Sequence, residues 1–358
     1  NGKSITELSE LKSEIGLKKL FGHFSYDLKN KLEKLTSKHP DNINFKELHF
    51  YEPQFYHNLK NLKPCFEVDN TPLNIKPIPR FNKKEYIAII EKLRNHIIEG
   101  DCYEINFCME FYAENVEIDP INIYKKLNTI SPMPFSALHK VEENYLICAS
   151  PERFIKKENN LLISQPIKGT IKKGETEEEN AILKQELLNS EKERAENLMI
   201  VDLVRNDLAK SSEPGSAKVE ELFGIYDFSS VNQMISTISA NKKVEITTLN
   251  SILNAFPMGS MTGAPKHKVM QLIEKYERTK RGIYAGSIGY FDENENFDFN
   301  VVIRSMIYNA DKKYLSYQTG GAIIFDSNPE GEYEECLLKA KGFYEVLNSQ
   351  DESKSPCE

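Results

Sequence analysis

Lys168 lies between an apolar run and a glycine, in Gln165-Pro166-Ile167-Lys168-Gly169-Thr170. Withdrawn from water, its ammonium would lose solvation, its pKa would fall, and the neutral amine would be a nucleophile. Taken alone, a turn lysine is far more often merely solvated. Glu196 precedes the apolar run Leu198-Met199-Ile200-Val201, where a carboxylate needs an arginine or a cation. A surface glutamate is the blander reading. The stretch Gly259-Ser260-Met261-Thr262-Gly263-Ala264-Pro265-Lys266 opens an amphipathic segment. Pro265 suits a first helical position, and the small residues before it free N–H groups to meet an anion. Its spacing is not that of a P-loop. Arg304 closes the run Phe299-Asn300-Val301-Val302-Ile303, so a part-buried guanidinium facing a carboxylate is expected, from a ligand or from the chain itself. Gly320 and Gly321 follow a strand-like run and let a ligand approach the backbone. On the next segment Glu332, Glu335 and Lys339 share one helical face. Two hard oxygen donors beside a cation suit Mg²⁺ and an anion together, and they equally suit an exposed salt-bridged face.

Such residues need a scaffold. Apolar residues at three- and four-residue spacing predict a helix from Lys83 to Glu99, stopped by Gly100. Further helices are expected over Glu177–Lys210, Leu249–Ala255, Lys266–Tyr276 and Glu332–Leu347. Strands are expected over Tyr145–Cys148, Leu161–Ser164, Gly286–Phe291, Phe297–Ile307 and Tyr314–Gln318. Residues 1 to about 70 read as polar and irregular, with helix-like stretches, followed by a proline-rich connector to Pro79. The class is mixed α and β around one extended core, with an N-terminal region and connector over 1–79, a main domain over 80–348 and a polar tail over 349–358.

With 358 residues, 40% of them apolar, the chain can bury a sizeable core. No apolar run is long enough for a membrane helix and no signal-peptide pattern opens the chain, which points to a cytoplasmic protein. The start at Asn1 rather than Met suggests a processed or truncated end. Six scattered cysteines without a CxxC pair read as reduced, buried thiols. The formal net charge of −8, with no basic stripe, argues against a nucleic-acid surface. It also means that an anionic substrate must meet a locally positive site or a metal.

In sequence order, Ser150-Pro151-Glu152-Arg153-Phe154, PIKGT, ENLMIVDLVRND, GSMTGAPK, YAGSIGY, IRS and EYEECLLKA resemble the chorismate-binding family, over about residues 80 to 348. That family includes the anthranilate, aminodeoxychorismate, isochorismate and salicylate synthases. The resemblance implies an α/β (α+β) fold, a large two-sheet sandwich with flanking helices, and chorismate held between the sheets. It implies Mg²⁺ held by Glu196 and Glu335 with Glu332 close by, Arg304 and Tyr284 on the enolpyruvyl carboxylate, and Thr262, Gly263, Gly320, Gly321 and Lys339 around the remaining anion site. Other branches carry Ala where this chain has Lys168, so the sequence is most similar to the aminodeoxychorismate branch, and GHFSYD near the N-terminus agrees. Lys168 would then be the nucleophile at C2, and Glu152 would help protonate the departing hydroxyl. Gln233 replaces a family histidine tied to pyruvate elimination, which disfavours anthranilate formation, and Ala322 replaces a third glycine. With no glutamine-hydrolysing domain in the sequence, a separate glutamine amidotransferase is the expected source of ammonia. An anthranilate synthase component and a non-catalytic chorismate binder are the rival expectations.

Overall fold

The computed structural model describes residues 3–58 and 67–348. Cys65, Cys357 and the polar segment at 351–358 lie outside the described residues. Two antiparallel sheets, of ten and seven strands, form the framework. One apolar cluster joins residues of both sheets to the helices Glu191–Ala209 and Thr248–Leu253. A second packs the smaller sheet against the helices Lys83–Ile98, Lys266–Tyr276 and Pro329–Asn348.

The strand Glu104–Ala113 explains how this scaffold makes chemistry available. Its odd-numbered residues Ile105, Phe107, Met109, Phe111 and Ala113 belong to the helix-side cluster. Because side chains alternate across a strand, Glu104, Asn106, Cys108 and Glu110 are delivered to the opposite face. This strand pairs along its length with Tyr314–Ile323, so that Gly320 faces Cys108 and Gly321 faces Phe107.

Several expected elements form as read. The helix Lys83–Ile98 starts in a capping box between Asn82 and Glu85, and Gly100 follows it at φ +82°. Others divide. The helix expected over Glu177–Lys210 breaks at Ser190, whose extended backbone ends one helix and whose hydroxyl caps the next by accepting from the Glu193 N–H at 3.3 Å. The strand expected over Phe297–Ile307 becomes Phe297–Asn300 in the larger sheet and Ser305–Asn309 in the smaller. Pro265 caps its helix rather than entering it.

The largest difference is at the N-terminus. The segment expected to be irregular supplies the strands Ser4–Ile5, Leu20–Phe24 and Leu48–Tyr51 to the ten-stranded sheet. Leu20–Phe24 pairs with Ser287–Phe291, and Phe24 and Phe50 are fully buried. Strands this short offer too few alternations for a period to register. Among the described residues, no helix is long and apolar enough to cross a membrane.

Candidate functional site

A cleft of about 490 Å³ opens between the edge of the larger sheet and the strands Glu104–Ala113 and Tyr314–Ile323, flanked by the helices Glu191–Ala209 and Pro329–Asn348. Ten of the twelve candidate residues line it: Glu152, Lys168, Glu196, Tyr284, Arg304, Gly320, Gly321, Glu332, Glu335 and Lys339. Thr262 and Gly263 do not border it. The Thr262 hydroxyl donates to the carbonyls of Met258 and Gly259. Gly263 pairs with Ile105 so closely that a Cβ there would lie 2.1 Å from the Glu104 carbonyl oxygen. These two residues therefore hold the loop against the strand that carries Glu104. The helix end at Pro265, expected to receive an anion, also lies outside the cleft wall. Lys266 beside it forms a buried pair with Asp207 at 2.6 Å.

Lys168 is aimed by a bulge. The register of the strand Ile167–Lys172 against Val231–Asn241 shifts between Ile167 and Thr170, and Gly169 has φ +95°. Inserting a residue at a bulge rotates the neighbouring side chain out of the sheet's alternation. The Asn197 amide fixes the turn by donating to the Lys168 carbonyl at 3.3 Å. The ammonium is not neutralised by burial as the sequence suggested. Burial does oppose its charge, but Glu104, at 2.9 Å, together with Glu196 and Glu152 outweighs it, and the Lys168 pKa is raised.

Glu104 escaped the sequence reading. It is 1% exposed, it holds Lys168 through Oε1, and its Oε2 is buried without a partner among the described residues. The available signal was a carboxylate at a strand start that alternates polar and apolar residues, Glu104-Ile105-Asn106-Phe107. Its partner lies 64 residues away, and no local pattern connects them.

Two carboxyls titrate near neutrality. Burial pushes Glu152 up to about 7, against the Ser260 hydrogen bond and the Lys168 charge. Burial also pushes Glu196 up to about 7, with Lys168 opposing and Glu193 assisting. Glu332 is raised by burial and by repulsion from Glu335, while its Oε1 accepts from the Ser327 hydroxyl at 2.7 Å. Glu335 is also disfavoured by burial, but Lys339 at 2.7 Å more than offsets it and the pKa is lowered. Lys339 also donates to the Gly320 carbonyl at 2.7 Å. Gly321 leaves open the space beside these acids, since a Cβ there would sit 3.0 Å from Glu332 Oε2 and 3.8 Å from Glu335 Oε1. Crowded, part-buried carboxylates beside a glycine cradle are a donor set that fits Mg²⁺.

Arg304 sits at φ +51°, a left-handed turn that interrupts the expected strand and directs the side chain into the cleft. Protein surrounds it and lowers its pKa, yet its side chain meets the solvent of the open cleft. No carboxylate of the described residues forms an ion pair with it, so the internal partner that the sequence allowed is not found among them. Tyr284 contributes its hydroxyl, 3.6 Å from Cys108 Sγ. Gln233 is buried beside the cleft, and its Oε1 has no partner among the described residues. Behind this wall the buried Arg281–Glu277 pair, at 2.7 Å, ties the carbonyls of Asn106 and Met261 to the Cys108 N–H.

The cleft walled by the two antiparallel sheets thus gathers an arginine without an ion pair among the described residues, a lysine–glutamate pair and clustered acids. The chain belongs to the chorismate binding enzyme family, whose sequence profile matches residues 3–345. It is 42% identical over 269 residues to a probable chloroplastic aminodeoxychorismate synthase of Oryza sativa, covering 74% of this chain and 30% of that protein. It is 36% identical over 275 residues to aminodeoxychorismate synthase component 1 of Bacillus subtilis, covering 76% of this chain and 58% of the relative. The chain thus spans between about three-tenths and three-fifths of the length of these relatives. Anthranilate synthase component I from Streptococcus pneumoniae shares the fold, with a TM-score of 0.79 and 27% identity over 91% of this chain and 80% of that one.

Proposed function

We propose that this chain replaces the C4 hydroxyl of chorismate by ammonia, as the aminating subunit of an aminodeoxychorismate synthase. The observation that carries the reading is Lys168, bulged into the cleft between Glu104, Glu152 and Glu196. Relatives named aminodeoxychorismate synthase support it.

In this reading Arg304, Tyr284 and Lys339 take up the substrate carboxylates, which answers the requirement set by the negative net charge. Glu196, Glu335 and Glu332 would hold Mg²⁺, and the ion would supply neutralisation of the substrate's ring-carboxylate charge. Lys168 enters the reaction as the amine after giving a proton to Glu104. Its lone pair attacks C2, the ring double bonds shift, and the C4–O bond breaks. Glu152, half protonated near pH 7, gives the departing oxygen its proton, so that water leaves. Ammonia then enters at C4 as Lys168 leaves C2, and two displacements give net retention. A glutamine amidotransferase would deliver the ammonia, and the product would serve 4-aminobenzoate and folate synthesis. Four buried free thiols support a reducing compartment such as the cytoplasm.

The test is product analysis by liquid chromatography and mass detection with chorismate, Mg²⁺ and ammonium at mildly alkaline pH, beside Lys168→Ala. Aminodeoxychorismate that disappears with the substitution is the expected result. Anthranilate from the parent chain would overturn the branch assignment. Chorismate binding without turnover would leave only a binding protein.

A further inference from the structure

Away from the cleft, three imidazoles converge. His23 lies on the strand Leu20–Phe24 and His49 is its cross-strand partner on Leu48–Tyr51, both in the ten-stranded sheet. His139 comes from Phe135–Val141, the edge strand of the other sheet. One ring nitrogen from each lies within 4.8 Å of the others. His23 Nδ1 and His139 Nε2 are 3.0 Å apart. Two nitrogens bound to one tetrahedral Zn²⁺ at about 2.0–2.1 Å would be separated by roughly 3.3 Å, so this pair already stands near ligand spacing.

The surrounding bonds favour the same reading. His23 Nε2 lies 3.0 Å from the Lys46 carbonyl, to which it donates, and this leaves Nδ1 as the lone-pair nitrogen facing the cluster. An outer hydrogen bond from the far ring nitrogen to a carbonyl is the arrangement that orients metal-binding imidazoles. His49 Nδ1 is buried without a hydrogen-bond partner among the described residues, a costly state that coordination would relieve. The rings are confined, with Phe45 edge-on to His23 at 5.4 Å and Tyr51 parallel to His139 within 12°. Burial keeps all three imidazoles neutral, with His139 pushed down to about 4, so protons do not compete for the lone pairs at neutral pH. Lys46, whose charge acts on His23 and His49, is itself paired with Glu142 at 2.8 Å.

We propose that His23, His49 and His139 form a binding site for a divalent transition ion that prefers nitrogen donors, with Zn²⁺ as the reference ion. Coordination requires only that the His139 proton move from Nε2 to Nδ1. His49, the partly exposed member, marks the side of entry, and the fourth position is left to water or to Glu142 released from Lys46. Hard-oxygen ions such as Mg²⁺ are not expected here, because imidazole suits Zn²⁺, Co²⁺, Ni²⁺ and Cu²⁺. The bound ion pins the strands Leu20–Phe24 and Leu48–Tyr51 to the edge of the opposite sheet. It is independent of the carboxylate cluster and of the reaction assigned to the cleft.

Protein stripped with a chelator and titrated with Co²⁺ provides the test. The expected result is one equivalent bound with the intense visible bands of a four- or five-coordinate site, bleached by Zn²⁺, together with a rise in Tm on adding Zn²⁺. His49→Gln and His139→Asn should each weaken Co²⁺ binding by more than about tenfold, because loss of a ligand costs at least what loss of a supporting bond does. Glu335→Gln should leave the bands unchanged. Should His139→Asn fold poorly, the partly exposed His49→Gln decides alone. Absence of the bands, bands that survive His49→Gln, or bands that vanish with Glu335→Gln would overturn the proposal and leave a hydrogen-bonded imidazole cluster only.

Discussion

Glu152 and Glu196 are perturbed in the same direction by the same cause, and the sign has a consequence for stability. Each carboxyl has a folded pKa of about 7, above its usual value of 4.5. Between these values the unfolded chain is ionised while the folded one keeps its proton. Stability therefore falls as pH rises through this window, by on the order of 3 kcal/mol for a fully buried group. Glu152→Gln is expected to raise the urea midpoint of the ligand-free protein at pH 8.5 but hardly at pH 4, and equal shifts at both pH values would contradict this. Glu104 acts oppositely on Lys168. Glu104→Gln should lower the Lys168 pKa, read from the NMR titration of a ¹³C-dimethylated lysine absent in Lys168→Ala. An unmoved titration would show that Glu196 and Glu152 carry the shift.

At the scale of elements, two adjacent glycines separate packing from binding. A Cβ on Gly320 would lie 1.9 Å from the Phe107 carbonyl oxygen, in backbone that cannot yield without parting the strands Glu104–Ala113 and Tyr314–Ile323. A Cβ on Gly321 would meet the end of the Glu332 side chain at 3.0 Å. Gly320→Ala is accordingly expected to destabilise by several kcal/mol, on the order of 3 or more. Gly321→Ala should keep the Tm of the ligand-free protein within a few degrees and abolish most of the Tm increase produced by Mg²⁺. Thermal unfolding with and without the ion checks both, and a Gly321→Ala protein that still responds fully would remove the acids beside it from the metal assignment. Helix breaks follow the same logic of local geometry. Ser190 could be recognised only once its hydroxyl was seen capping the second helix.

For the whole molecule, the N-terminal strands close the larger sheet over the segment that leads to Tyr284. Leu20–Phe24 pairs with Ser287–Phe291, and the Tyr26 N–H donates to the Gly282 carbonyl at 2.7 Å. A chain beginning at residue 80 would uncover Phe291 and Phe299 and leave that strand without its neighbour. It is expected to lose cooperative thermal unfolding and to bind a hydrophobic dye, and a sharp transition with native near-UV circular dichroism would refute this.

The order of the short phrases by itself determined the family, and the resemblance those phrases carry named ten members of the cleft wall. Helix periodicity and glycine stops were legible because they are set by neighbours three or four residues apart. Tertiary structure decided the rest. It broke the Arg304 strand with a left-handed residue, drew Thr262 and Gly263 behind the wall, and brought Glu104 to Lys168. Through that last contact it also reversed the direction of the lysine's pKa shift. The physical reason is that a charge in a poorly solvated cleft responds to what lies within a few ångströms, and in antiparallel sheets those neighbours come from strands far apart in sequence.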